Sequence, residues 1–332
     1  MILVTGGAGY IGSHAVIRLL DDYPQVLIFD NLETGHLETV KRLQALSSGV
    51  KFVKGDLKNI DDIKSVFSEH KIESVVHFAA SSLVSESVRN PQKYYYNNVL
   101  GSLNLFKSMI ENNVMSLVFS STCAVYGSPQ YLPIDESHPR VPVNPYGSTK
   151  LTVENILMDY DKAYGLKSII LRYFNVAGAD AHSRVGEWHD VETHLIPNIL
   201  KSAFQEGKKF KIYGDDYDTA DGTCIRDYVN VEDLAIAHKL ALDYLNKQKV
   251  SDVFNLGSGL GNSVKEVFEI SEIVLGRKID CEISSRRVGD PSKLFASAEK
   301  AKSILGWNAE KDLEYSIKTA FEWEKVLQNI LN

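Results

Sequence analysis

The segment Gly6-Gly7-Ala8-Gly9-Tyr10-Ile11-Gly12 follows the apolar run Ile2–Thr5 directly and opens a helix-like stretch. Its glycines at 6, 9 and 12 restrict the fold more than any other feature of the chain. One lets the backbone turn tightly, another lets it approach a pyrophosphate, and the last lets the following helix lie close to the strand. The helix N-terminus then presents free N–H groups and a partial positive charge to the phosphates. An ordinary tight turn is the alternative. The strand before it and the helix after it favour a dinucleotide site.

Further apolar runs at 26–29, 51–53, 74–78, 117–120 and 168–172 alternate with helix-like stretches at 13–20, 60–69, 99–112 and 149–164. Continuous apolar strands covered on both faces are the mark of a parallel sheet. The alternation predicts an α/β fold with a doubly wound parallel (Rossmann) sheet. After about Asn175 the pattern loosens into loops carrying Gly178, Gly186, Gly207 and Gly214, with one helix expected over 195–206. A strand start and a helix follow over 228–246. We therefore expect a dinucleotide-binding domain over 1–175, joined by about 224–250. A smaller mixed α/β substrate domain is expected over 176–223 and 251–332.

Asp30 closes the second strand 18 residues beyond Gly12. An acid there accepts hydrogen bonds from ribose hydroxyls and repels a 2′-phosphate, which selects NAD over NADP. Helix capping is the competing role. Asp56, in Gly55-Asp56-Leu57 after the third strand, is positioned to meet the adenine amino group.

Charge and cysteine usage narrow the partners. The 332 residues carry 36 Lys and Arg against 43 Asp and Glu, a formal charge of −7. That balance disfavours nucleic acid and anionic membranes. Short basic pairs such as Lys208-Lys209 and Arg286-Arg287 read as solvated faces. The three cysteines, Cys123, Cys224 and Cys281, show no CxxC spacing. They predict neither a disulfide framework nor a cysteine zinc site, and point to a reducing cytosol. The first strand starts at Ile2, so no signal peptide is expected, and no apolar run approaches the ~18 residues of a membrane span.

Tyr146 and Lys150 form a YxxxK pair in PYGSTK. Residues four apart share a helix face, so the Lys150 ammonium reaches the Tyr146 phenol. A free phenol titrates near pH ~10. A nearby cation, and a cationic nicotinamide, favour the phenolate and make it a general acid/base. Thr122 ends the fifth strand and offers a hydroxyl to share that proton. His77 and His14 fit core or capping roles. The irregular spacing of His182, His189 and His194 predicts no metal site.

With these motifs in place the chain resembles the extended short-chain dehydrogenase/reductases. The likeness rests on GGAGYIG, Asp30, VVHFAA (75–80), YYNNV (95–99), SSTCAVYG (120–127), PYGSTK (145–150) and RYFNVAGA (172–179). Residues 213–235, FNLGSGLGNSV (254–264) and RRVGDP (286–291) resemble the UDP-glucose 4-epimerases within that family. The resemblance implies that Gly6, Gly9, Tyr10, Ile11 and Gly12 hold the pyrophosphate of NAD. Asp30 and Asn31 would take the adenosine ribose, Asp56 and Leu57 the adenine. Phe78, Ala79, Ala80 and Asn97 would line the dinucleotide, and Tyr146, Lys150 and Phe174 would flank the nicotinamide. It further implies that Thr122, Tyr146, Asn175, His194, Leu195 and Tyr213 meet the nucleotide-sugar. Arg226 and Arg287 would clamp its diphosphate and Asp290 its uridine ribose. An ion pair of Arg226 with Asp227 or Asp233 is the structural alternative.

By the same resemblance the reaction is inversion at C4 of UDP-galactose and UDP-glucose through a 4-keto sugar, in a cytoplasmic homodimer of galactose metabolism. Three positions depart from the family pattern. Thr122 replaces a serine and keeps the hydroxyl. Ser82 replaces a lysine and removes one ribose or phosphate contact. Leu294 replaces a tyrosine and leaves room for a 2-acetamido group, which extends the expected substrates to UDP-N-acetylglucosamine and UDP-N-acetylgalactosamine. Three rival readings remain: a 4,6-dehydratase, a net dehydrogenase and a non-catalytic NAD sensor. The first needs an acid/base pair where Cys123 and Ala124 stand.

Overall fold

The computed structural model describes residues 1–205, 209–287 and 290–331. Gly207, Lys208 and the end of the helix expected to reach Glu206 lie outside the described residues, as do Val288 and Gly289 of RRVGDP and the terminal Asn332. The strands are β1 (Ile2–Thr5), β2 (Val26–Asp30), β3 (Val50–Lys54), β4 (Ser74–His77), β5 (Ser116–Thr122), β6 (Lys167–Tyr173), β7 (Asn175–Ala177), β8 (Phe210–Tyr213), β9 (Ile225–Asn230), β10 (Asp252–Leu256), β11 (Gly261–Ser263), β12 (Cys281–Ser284) and β13 (Lys293–Leu294).

Seven of them form one parallel sheet in the order β10-β6-β5-β4-β1-β2-β3. Strands β1, β2, β4 and β5 are buried at every residue. Alternate side chains explain why. Ile2, Val4, Val26, Ile28, Val76 and Val118 pack into one core, and Leu3, Leu27, Val75, Leu117 and Phe119 into another on the opposite face. Each such side chain contributes ~1.5–3 kcal/mol when fully buried. The doubly wound parallel fold is therefore as expected.

From β1 the chain winds outward one way through β2 and β3, and the other way from β4 through β5 and β6. The crevice at the carboxyl ends of β1 and β4 is the switch point where ligands bind in such sheets. The helix Val231–Gln248 packs against the first helix, Tyr10–Leu19. Strand β10 pairs with β6, with Phe254 opposite Leu171. We propose that the lobe boundary falls after Leu256. The second lobe carries a small sheet of β11, β9, β13 and β7 and a two-stranded pair of β12 and β8. Ile196, Ile199, Leu200, Phe210, Val267, Phe268 and Ile317 fill its core.

Two features were not anticipated. A helix runs over Leu37–Leu46 with no side-chain cap at His36. The expected helix over 99–112 is preceded by a π-helical turn, Tyr95–Leu100, that leads into Gly101–Glu111. Among the described residues no helix is long and apolar enough to cross a membrane.

Candidate active site

The glycine turn is held by sterics. Gly6 has φ +74°, and a Cβ there would lie 2.6 Å from the Ala79 amide nitrogen. At Gly12 a Cβ would meet the Gly6 carbonyl oxygen at 2.3 Å. Gly9 differs, since a Cβ would approach only that oxygen, at 3.4 Å. Its open side faces a cleft of about 820 Å³. Gly6, Gly9, Tyr10, Ile11 and Gly12 all border this cleft.

Asp30 has a second task. Its Oδ2 accepts from the Ala8 amide at 3.0 Å and its Oδ1 from the Leu32 amide at 2.8 Å. These bonds brace the glycine turn and the loop after β2 and cap no helix, and a carboxylate's roughly four lone-pair sites leave room for ribose hydroxyls as well. Asn31 donates to Asp56 Oδ2 at 3.1 Å. Asp30, Asn31, Glu33, Asp56 and Leu57 border this end of the cleft with no lysine or arginine among them. Glu33 and Asp56 are paired with Lys58 and Lys93, which leaves Asp30 as the carboxylate that fits the free 2′-hydroxyl of NAD and opposes a 2′-phosphate. Phe78, Ala79, Ala80, Ser82, Asn97 and Phe174 continue the wall.

Tyr146 and Lys150 sit on the helix Pro145–Tyr164, whose N-terminus is fixed by the Asn144 side chain accepting from the Gly147 amide at 2.9 Å. A Cβ on Gly147 would lie 2.5 Å from the Ala124 carbonyl oxygen, so this glycine lets the helix press against the end of β5. Lys150 Nζ donates to the Ser120 carbonyl at 2.8 Å and stands 4.8 Å from the Phe119 ring centre. Burial pushes the lysine down to about 7, against a smaller pull upward from Glu154. Burial also raises the Tyr146 phenol well above its ordinary value, while a hydrogen bond with Thr122 offsets part of the rise. A phenol lowered by Lys150 was expected. The lysine is not among the groups that shift it, since Nζ is turned to the Ser120 carbonyl, and desolvation leaves the phenol protonated. Burial lifts the Cys123 thiol to about 12, so it is no acid/base at neutral pH.

Below the pair lies a buried charge network. Glu154 Oε2 accepts from Arg172 at 2.6 Å, and Glu154 Oε1 accepts from Ser121 at 2.6 Å. His77 is core, as expected. It lies between Thr5 and Ser102, and burial lowers it to about 3.

Asn175, His194, Leu195, Arg226, Asp290 and Leu294 border the same cleft from the second lobe. Arg226 donates to the Ile225 and Pro291 carbonyls, both at 2.8 Å, and its other terminal nitrogen stands 3.6 Å from Asp290. The alternative partners are engaged elsewhere. Asp227 accepts from the Ser258, Gly259 and Ala296 amides, and Asp233 from those of Glu310 and Lys311. Tyr213 and Arg287 are not brought to the cleft. Tyr213 lies on the outward face of β8, and the Arg287 guanidinium stands 4.2 Å from the centre of its ring.

Sequence reasoning passed over Asn98. Its Oδ1 accepts from the Ser81 amide at 2.8 Å, and its Nδ2 donates to the Ser81 carbonyl at 3.0 Å and to Thr149 at 3.1 Å. It ties the loop after β4 to the catalytic helix, and the π-helical turn orients it. His189 and His194 come together with Glu187 and Glu192, a grouping invisible when only histidine spacing was considered. His182 stays apart from it. Burial works to lower both imidazoles, but the carboxylates raise His189 to about 9 and His194 to about 10.

A glycine turn at a switch point, an acid at the end of β2 and a Tyr–Lys pair beside a hydroxyl define a short-chain dehydrogenase/reductase of the extended type. Residues 3–320 match the GDP-mannose 4,6 dehydratase family. The UDP-glucose 4-epimerase of Halalkalibacterium halodurans is 50% identical over 325 residues, covering 98% of this chain and 95% of that one. The Stenotrophomonas maltophila UDP-glucose-4-epimerase, solved with NAD and formylated UDP-arabinopyranose, superposes with a TM-score of 0.95 at 38% identity, covering 99% of each chain. The UDP-Glc/GlcNAc 4-epimerase of Campylobacter jejuni gives 0.86 at 43% identity, covering 98% of this chain and 99% of that one. The chain belongs to the UDP-glucose 4-epimerase family.

Proposed function

We propose that this chain interconverts UDP-galactose and UDP-glucose by inversion at C4, using bound NAD. The observation that carries the reading is one cleft bordered by the glycine turn, Thr122, Tyr146, Lys150 and Arg226. NAD, when bound, supplies the hydride acceptor and donor. The protein's part is acid/base work and positioning. Tyr146 Oη takes the proton of the sugar 4-hydroxyl and returns it after the 4-keto sugar has turned over. Thr122, whose hydroxyl offsets part of the rise in the phenol, is the group placed to share that proton. Arg226 meets the diphosphate, because its planar fork matches phosphate oxygens. Holding the nucleotide while leaving the sugar loose concentrates binding energy away from the reacting carbon.

Lys150 acts through charge. With the phenol raised by burial, a cation one turn along the same helix would make the phenolate more accessible once cofactor and substrate are bound. Lys150→Met should shift the onset of activity to higher pH, and an unchanged pH–rate profile would rule out this role. Stability follows the same shift. The ammonium is held at about 7 in the folded chain against an ordinary 10.5, so the unfolded chain binds more protons between those values. The residue's contribution to stability is therefore least favourable below about 7 and improves as pH rises towards 10.5.

A dehydratase reading finds no support at Cys123 and Ala124. Leu294 borders the cleft and pairs with Arg226 across β13 and β9, which supports a wider substrate range. Among the relatives named above, the Campylobacter jejuni enzyme is described as acting on both plain and N-acetylated sugars. Purified protein should convert both UDP-galactose and UDP-N-acetylgalactosamine without accumulating reduced nicotinamide. Leu294→Tyr should lose the second reaction and keep the first. Turnover of UDP-galactose alone by the wild type would remove the wider range, and stoichiometric reduction of NAD would replace the epimerase reading with a dehydrogenase.

We place the protein in the cytosol as a homodimer. The three free thiols support a reducing compartment. Exposed Tyr95, Tyr96, Leu100, Met158 and Tyr164 on the helical segments beside the catalytic pair support a second copy as partner.

A further inference from the structure

The loop between β7 and the helix Leu195–Phe204 gathers Glu187, His189, Glu192 and His194, one ligand atom from each lying within 4.8 Å of the others. The side chains of Glu187 and Glu192 are only 8% and 5% exposed. Among the described residues no lysine or arginine pairs with either. In the metal-free chain the two raised imidazoles supply the opposing charge, and Glu192 Oε1 also accepts from the Thr193 and His194 amides at 2.8 Å.

Both imidazoles turn Nδ1 inward. His194 Nδ1 lies 2.7 Å from Glu187 Oε1 and 3.0 Å from Glu192 Oε1. His189 Nδ1 lies 3.4 Å from Glu187 Oε1 and 3.5 Å from Glu192 Oε2. This nitrogen is buried and has no hydrogen-bond partner. A tetrahedral ion with ligands at ~2.0–2.1 Å sets those ligands ~3.3 Å apart, close to the spacing around His189. An N–H at that place has no acceptor in good range, whereas a lone pair aimed at a central cation is satisfied.

We propose that these four side chains form a site for one divalent transition-metal cation, zinc by the chemistry of the donors. Two carboxylates match its charge, and the two imidazoles complete a tetrahedron by giving up their protons to solvent as the ion binds, so binding weakens as pH falls. Nitrogen donors favour zinc over magnesium or calcium, which take oxygen. The ion pins the loop from Glu187 to His194 and the start of the helix that brings Leu195 to the cleft. Glu187, His189 and His194 border the cleft, so the ion would shape its wall without taking part in the hydride transfer.

The test uses full-length protein treated with a chelator and titrated with Co²⁺ and Zn²⁺. Co²⁺ should give the visible absorption of a four-coordinate ion and saturate at one per chain, with Zn²⁺ displacing it. His189→Asn and Glu192→Gln should weaken binding by more than ~100-fold, beyond the loss usual for supporting residues. Their folding is checked by circular dichroism and denaturant titration. If neither variant folds, the wild-type titration decides alone. No saturable Co²⁺ spectrum, or one that survives intact in both folded variants, would leave the cluster as an ion quartet and overturn the site. Neither outcome depends on which sugar is turned over, so failure here is distinguishable from failure of the epimerase reading.

Discussion

Tyr146→Phe should bind NAD and UDP as the wild type does and lose turnover by ~10²–10⁴-fold, the usual worth of a positioned acid/base. The ring remains, so its edge-on packing against Tyr94, 6.5 Å between centres, is kept. Only the oxygen that carries the proton is removed. The alternative proton carriers are poor. Thr122 is an alcohol, the Cys123 thiol is held at about 12, and Lys150 is turned to the Ser120 carbonyl. Steady-state kinetics with separate cofactor and UDP titrations measure this. Turnover within tenfold of wild type would show that another group moves the proton.

Glu154→Ala should be the most damaging single change to stability. Glu154 and Arg172 are 0% and 3% exposed, and the variant leaves the guanidinium buried without its carboxylate. Removing one partner of such a pair costs ~3–5 kcal/mol. Denaturant titration should show a lower midpoint with an unchanged slope. A second effect follows for the proton chemistry. Glu154 is the group that pulls Lys150 upward. Without it the lysine falls further below about 7 and is neutral in the working range, so surviving activity should resemble that of Lys150→Met. A midpoint equal to wild type would show that the pair carries no net stability.

The parallel sheet was legible because its strands are unbroken apolar runs, and burial on both faces leaves little room for polar residues. The glycine turn, Asp30, Thr122, Tyr146 and Lys150 were legible because their chemistry is local in sequence. What escaped the reading depends on distant partners. The helix Leu37–Leu46 has no capping side chain to announce it. Strand β10 is ordinary until Phe254 finds Leu171. Arg226 was weighed against neighbouring acids, yet adjacent residues on a strand point to opposite faces. Asp227 consequently faces three backbone amides, while Asp290 reaches Arg226 from 64 residues further along. Tyr213 and Arg287 were expected at the nucleotide-sugar, but Tyr213 ends β8 facing outward and Arg287, beyond the end of β12, stands over its ring.

The double duty of Asp30 bears on how freely coenzyme preference can drift in this lineage. The carboxylate we assign to discouraging a 2′-phosphate also accepts the amides of Ala8 and Leu32, so it braces the glycine turn. Replacing it with a small neutral residue, the simplest route to a phosphorylated coenzyme, would slacken that turn in the same step. A variant aimed at a phosphorylated coenzyme would therefore need a new acceptor for the Ala8 amide as well as the loss of the charge.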